Sequence, residues 1–326
     1  MKLVKLFCIF MAATLMSACG GSEDNVTAAT PAATSAPAAG ASPTLDKVAG
    51  ANGFTALLAA AAKADLASAL ADPNASLTVF APTDDAFGRL ATSLGFASAA
   101  AMVDALPAAT LKSILSYHVL PAARNAAALR AAQPAQPTLY EFDGAPAAVT
   151  VGSGPSGVTL TDAALTAANV TATDVAAGNG VIHVIDKVLV PPGVLNIVQM
   201  ARVNPQLSSL AGAVVSANLQ DTLSGPGPFT VFAPTNAAFS AAPTGLTPQQ
   251  LATVLTYHAL GRQVLASQIP FGAPIQTLAS QAIVINAGTP PTISDTTGTP
   301  AKIVATDVRA SNGVVHVIDK VLIPAL

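Results

Sequence analysis

The sequence predicts two tandem domains, each mixing helices with strands. Three observations carry the prediction. Residues 179–191, Asn-Gly-Val-Ile-His-Val-Ile-Asp-Lys-Val-Leu-Val-Pro, return at 312–324 with eleven of thirteen positions unchanged, and the other two exchange Ile and Val. The hexapeptide Thr-Val-Phe-Ala-Pro-Thr at 78–83 returns at 230–235. Before and after each hexapeptide, apolar residues recur at i, i+3, i+4 and i+7, one face of a helix. A chain of 326 residues has room for roughly two domains of about 150 residues. The repeat turns that allowance into a count, with domains at 44–192 and 193–326.

Residues 1–19 read as an export signal. Lys2 and Lys5 give a short positive region, Leu6 to Met16 an apolar core too short to span a membrane, and Ser17-Ala18 a small-residue exit. The ending Met16-Ser17-Ala18-Cys19 resembles a bacterial lipobox, with Met where Leu is more usual. That resemblance implies lipidation of Cys19 as the mature N-terminus. The alternative is an ordinary cleaved signal with a stray cysteine. Cys8 leaves with the signal, so no internal disulfide is expected. Residues 20–43 are Gly, Ser, Ala, Thr and Pro with few large apolar side chains, and read as a disordered tether. A coil of that length averages roughly 25–30 Å end to end.

Within each repeat the elements follow one order. Phe54, Leu57, Leu58 and Ala61 mark the first helix, matched by Leu207, Leu210, Ala211 and Val214. Thr-Val-Phe is strand chemistry that Pro82 and Pro234 stop, and a helix follows with Asp84 or Asn236 read as its N-cap. The next helix carries Leu111, Ile114, Leu115 and His118, or Leu251, Val254, Leu255 and His258, and ends in Tyr-His both times. Thr247-Pro248-Gln249-Gln250 opens the second copy with a capping box and proline at the first helical position. Short β segments follow at 148–151, 157–161 and 168–175, then at 282–286, 291–294 and 302–308. The last of each is expected to form a hairpin with the thirteen-residue stretch across the Asn-Gly turn. That stretch reads as a strand buried on both faces and closed by Pro191 or Pro324. Phe80 to His118 spans 38 residues but Phe232 to His258 only 26, which removes a helix near Leu94–Leu106 from the second repeat. Only Pro192-Gly193 separates the repeats, so the domains are expected to touch.

The Thr-Val-Phe-Ala-Pro-Thr box, the Tyr-His pair and the Asn-Gly-Val-[Ile/Val]-His-Val-Ile-Asp stretch, in that order and twice, resemble the fasciclin (FAS1) domain. The resemblance covers residues 44–326. It implies an α+β fold, each domain a β-sandwich or wedge with helices packed on one side. It also implies an extracytoplasmic adhesion or interaction role without catalysis. In animal members of the family the Tyr-His region is linked to integrin binding, which maps to Tyr117, His118, Tyr257 and His258.

Little in the residues points to chemistry. The four histidines (118, 183, 258 and 316) sit at matched positions. Two per domain with Asp174 or Asp186 could ligate a metal, but a histidine on an apolar stripe or in a buried strand is more often a core residue bonded to backbone. Asp84-Asp85 resembles an acid–base pair, yet its counterparts are Asn236-Ala237, which fit capping and not proton transfer. Asp186-Lys187 and Asp319-Lys320 read as strand ends making local bonds, and Asp174 and Asp307 as residues that orient nearby backbone. No nucleophile elbow, phosphate loop or metalloprotease signature is present. No catalytic residue, metal ligand or cofactor is therefore expected. A net charge of −3, becoming −5 without Lys2 and Lys5, forms no basic patch and argues against nucleic acid. The expected function is binding: a lipid-anchored envelope protein meeting a protein or glycan at the cell surface or matrix. The rival readings are a glycan or small-ligand module, with its groove between the domains or beside the Tyr-His helices, and a metal-dependent enzyme.

Overall fold

A computed structural model of the chain describes residues 42–154 and 157–326. The export signal, Cys19 and nearly all of the tether lie outside the described residues.

The first repeat runs α1 (Leu45–Ala51), α2 (Thr55–Lys63), α3 (Ala67–Ala71), β1 (Leu77–Pro82), α4 (Asp84–Leu94), α5 (Ala99–Ala105), α6 (Ala108–Tyr117) and β2 (Val119–Leu120). It continues through α7 (Ala126–Ala131), β3 (Ala135–Phe142), β4 (Ala145–Gly154), β5 (Gly157–Thr161), β6 (Ala167–Ala177) and β7 (Gly180–Ile185). The second runs α8 (Ile197–Val203), α9 (Ser208–Ser216), α10 (Gln220–Ser224), β8 (Phe229–Pro234), α11 (Asn236–Ser240), α12 (Pro248–Tyr257) and β9 (Ala259–Leu260). Five strands close it: β10 (Pro274–Gln276), β11 (Ala282–Asn286), β12 (Thr292–Ser294), β13 (Ala301–Ala310) and β14 (Gly313–Ile318). No single described helix is long and apolar enough to cross a membrane.

Each repeat builds a seven-stranded sheet, β2-β1-β7-β6-β5-β4-β3 and β9-β8-β14-β13-β12-β11-β10. All neighbours are antiparallel except β1–β7 and β8–β14. Those two parallel pairs are the repeated motifs themselves. Phe80 lies opposite His183, and Phe232 opposite His316. The period-two alternation of β1 sorts its side chains: Val79 and Ala81 join the helices, while Phe80 packs with Tyr117, Leu120, Val149 and Leu160 on the other face. The sheet turns over that second face at β6, where two register shifts bracket Ala172. Bulges bend a strand and increase its twist, and Asp174 takes a left-handed φ of +61° there, as Asp307 does at +59° in β13. The result is α+β, a wedge of sheet with helices on one side.

Three sequence expectations are corrected. The thirteen-residue stretch is a strand only as far as Ile185 or Ile318, not to the proline. Its parallel partner ends at Pro82 or Pro234, the last paired residue, and the chain then enters a helix, so the ladder has nothing to continue on. The hairpin turn is also one residue earlier than Asn-Gly, at Gly178-Asn179 and Ser311-Asn312. The asparagine serves instead as a buried tie: Asn179 Oδ1 accepts from Leu45 N at 2.8 Å, and Nδ2 donates to the Leu70 and Asp72 carbonyls. Asn312 repeats this with Ile197, Leu223 and Gly225. Glycine follows because a Cβ at Gly180 would lie 2.2 Å from the Leu77 carbonyl oxygen. The third correction concerns capping. Thr83 and Thr235 cap their own helices, whereas Asp84 accepts from Thr55 N, Thr55 Oγ1 and Ala56 N at the start of α2. Asn236 accepts from Ser209 N at the start of α9.

The second repeat, shorter by a net 12 residues, lacks the last turns of α4 and all of α5, since α4 has 11 residues and α11 only 5. The halves touch along one continuous apolar core that includes Leu90, Ala164, Met200 and Val231. Asn204 Nδ2 donates to the Ala164 carbonyl at 2.9 Å. Arg309 sits 3.0 Å from the Asp143 carboxylate and 5.1 Å over the Phe142 ring, and its carbonyl accepts from Gly193 N.

Candidate functional site

The Tyr-His pairs lie inside the protein. Helices α6 and α12 turn Leu111, Ile114, Leu115 and Val254, Leu255 inward, and that same stripe carries His118 and His258 into the core. Tyr117, His118, Tyr257 and His258 are each no more than 1% exposed. The Tyr117 hydroxyl donates to the Ala148 carbonyl at 2.9 Å and the Tyr257 hydroxyl to Ala282 at 3.1 Å. Burial raises both phenols above their ordinary range. Buried to that degree, the four side chains offer almost nothing to a partner at the surface.

Each of these histidines ties a helix end to a distant loop. The His118 Nδ1–H donates to the Ile114 carbonyl at 2.7 Å, taking up an acceptor at the end of the helix, and Nε2 accepts from Leu189 N at 2.9 Å. His258 does the same with Val254 and Leu322. Burial lowers both imidazoles to about 4, so they are neutral in one fixed tautomer. His183 and His316 use Nε2–H on the Arg124 and Val264 carbonyls at 2.9 Å, while Nδ1 accepts from Asp174 and Asp307 N at 3.3 Å. With both ring nitrogens of all four histidines committed to backbone, none has a lone pair for a metal. Among the described residues no group of three or more His, Cys, Asp or Glu side chains could hold one.

The strand-end acids have defined partners. Asp186 and Asp319 accept from Asn169 N and Lys302 N at 2.7 Å, and Asp174 and Asp307 from the helix starts at Ala126 and Ala266. Lys187 and Lys320 turn inward to Asp162 and Asp295, whose side chains are fully buried. Asp162 also accepts from Ala164, Thr166 and Val190 N. Burial alone would raise Asp295, but Lys320, Thr297 and the Ile323 N–H outweigh it and hold the carboxyl below its usual range. These two aspartates were missed in the sequence. The available signal was the Asp-to-Lys interval, 25 residues in both repeats.

Of the depressions on the described surface, two lie where the sequence placed a ligand, beside a Tyr-His helix and between the repeats. A slot of ≈50 Å³ beside α6 is lined by Leu57, Leu66, Leu70 and Leu115. A wider groove of ≈560 Å³ runs between α4, the exit of β7 and the Val203–Pro205 turn, where the two repeats meet.

The fasciclin domain model matches residues 52–191 and 205–324. The chain belongs to the fasciclin domain family. Protein sll1483 of Synechocystis is 39% identical over 140 residues, 40% of this chain and 75% of its own length. Human periostin is 34% identical over 155 residues, 45% of this chain but only 18% of its own length. The cell surface glycolipoprotein MPB83 of Mycobacterium bovis is 35% identical over 132 residues, 37% of this chain and 57% of its own. A solved FAS1 domain pair from the insect cell adhesion molecule Fasciclin I covers 86% of this chain and 95% of its own, with 18% identity and a TM-score of 0.39. Membership gives the pair the family's non-enzymatic character, and relatives at cell surfaces accord with an exported protein.

Proposed function

We propose that this fasciclin pair is anchored through a lipid on Cys19 and acts by binding a protein or glycan at the cell surface or matrix, in adhesion. The observation that carries the reading is a fasciclin match across both repeats standing behind the Met16-Ser17-Ala18-Cys19 signal. Similarity to a named cell surface glycolipoprotein supports it. In this reading residues 20–43 are the tether, and 44–192 and 193–326 the binding bodies. Gly20, where aspartate would favour inner-membrane retention, supports outer-membrane sorting in a cell with two membranes.

Fatty-acid labelling and envelope fractionation of Cys19→Ser test the anchor. Loss of label, with the folded protein moving to the soluble fraction, is expected; a labelled, sedimenting variant sinks the anchor. Surface attachment is then compared in a gene-deleted strain and in one complemented with the wild type. Unchanged attachment after deletion rules out the adhesive role. A small-ligand reading is favoured separately by the groove between the repeats.

A further inference from the structure

The groove is built unevenly from the two repeats. Its charged side chains are Arg89, Asp186 and Lys187. Asp186 is committed, since its two carboxylate oxygens accept from Asn169 N and Nδ2, each at 2.7 Å. Lys187 is committed too, 3.0 Å from the Asp162 carboxylate. Arg89 alone keeps an uncompensated charge. Its guanidinium donates to the carbonyl oxygen of Asp186, a neutral partner, and no ion pair among the described residues includes it. Guanidinium carries five N–H donors in a planar fork, so one carbonyl fixes the head and leaves most of the fork open. Asp85, one turn earlier on α4, shares a neighbouring depression with Arg89 and Ser93 but forms no ion pair with the guanidinium.

The rest of the lining is mostly aliphatic. Ala86, Leu90, Val188 and Val203 face the groove from a buried position. The cation belongs to the first repeat only. Matching Asp84 to Asn236 puts Arg89 on Ala241 and Ser93 on Gly245, beyond the end of α11. The second repeat supplies Val203 and Pro205 instead. A volume of ≈560 Å³ falls within the usual range of small-molecule sites.

The geometry points to the groove as a binding site for a small carboxylate with an aliphatic body. The carboxylate pairs with the open side of the Arg89 fork, and the alkyl portion lies against Leu90, Val188 and Val203. A fork-to-carboxylate pair is charge-assisted and can be bidentate, and Arg89 offers its fork from an exposed position on α4. The site needs no surface partner, so it stands or falls separately from the adhesive role.

The test titrates the purified full chain with sodium hexanoate and follows amide and Arg Nε–H signals by NMR. Saturable 1:1 shifts at Arg89, Ser93 and Val188 are expected. Hexanamide, with the same body and no charge, is expected to bind about tenfold more weakly or worse, and Arg89→Gln to lose a similar factor. Arg89→Lys, which keeps the charge without the fork, falls between the two. Arg130→Gln, an exposed arginine on α7, keeps the wild-type affinity. Shifts that never saturate, shifts centred elsewhere, or equal binding by hexanamide or Arg89→Gln each overturn the proposal. Unchanged signals away from the groove show that Arg89→Gln is folded.

Discussion

His118 and His258 each join the end of a helix to a backbone N–H far along the chain, and that dual bond requires a neutral ring. Removing either ring leaves one buried carbonyl and one buried N–H without partners, at about 1–3 kcal/mol each. His118→Ala is therefore expected to lower unfolding stability by ~2–6 kcal/mol, read from urea denaturation. The same bond sets a pH dependence. Unfolded, each imidazole titrates near 6.5, and folded, near 4. Between those values the unfolded chain takes up the proton and the folded chain does not. Stability is thus full above about 6.5 and drains as pH falls toward 4, by ~1.4 kcal/mol per pH unit for each ring. Burial lowers His316 in the same direction. Asp46 and Asp295 are held below 3.8, so their contribution is present above that value and is lost only in stronger acid. Urea midpoints are expected to be level above pH 6.5 and to decline to pH 4. The His118→Gln, His258→Gln double variant should show a lower plateau and a shallower slope; an unaltered slope removes the two rings from the account.

Among the elements, α2 and α9 show how a side chain one strand away can finish a helix. Asp84, at the start of α4 on the same side of the sheet, meets the first N–H groups of α2, and Asn236 meets those of α9. Because the second repeat already does this with an amide, Asp84→Asn is expected to cost only a few tenths of a kcal/mol, against ~1 kcal/mol for Asp84→Ala. Equal losses in thermal denaturation would show that the carboxylate charge matters more than the bond. The identity of these residues as caps was legible from Asp exchanging with Asn, but not which helix they cap, because adjacency in sequence suggested the wrong one. Helices α2, α6, α9 and α12 were legible because their apolar stripes are local. Strands β3 and β10 were not, because Pro137, Gln136 and Pro274 obscure the alternation and only their neighbours β4 and β11 define them. Asp162 and Asp295 stayed hidden for a similar reason: nothing local distinguishes a loop aspartate from one that a lysine 25 residues away will bury. The repeated histidines were legible as core residues, whereas the groove depends on how the two repeats meet.

At the scale of the whole molecule, the repeats share apolar core instead of facing each other across a polar seam. A single calorimetric transition for residues 42–326 is expected, with neither half melting alone; two resolved peaks would refute this. The outer clasp at Arg309 is a smaller matter. Its partner Asp143 is 60% exposed, and exposed pairs contribute about 0–1 kcal/mol, so Arg309→Ala should lower the midpoint slightly without splitting the transition.

The parallel pairing of β1 with β7 also governs how the protein comes into being. Strand β1 is made early and its partner arrives roughly a hundred residues later, so each sheet can close only when its last strand has emerged. Such distant pairings are slow to form. The near identity of β7 and β14 adds a hazard, since either sequence suits the slot beside β1 or beside β8. Order of emergence resolves the choice: β7 is delivered before β8 exists, and β14 finds the first slot already filled. Refolding the whole chain at once removes that ordering and invites exchange of the two strands.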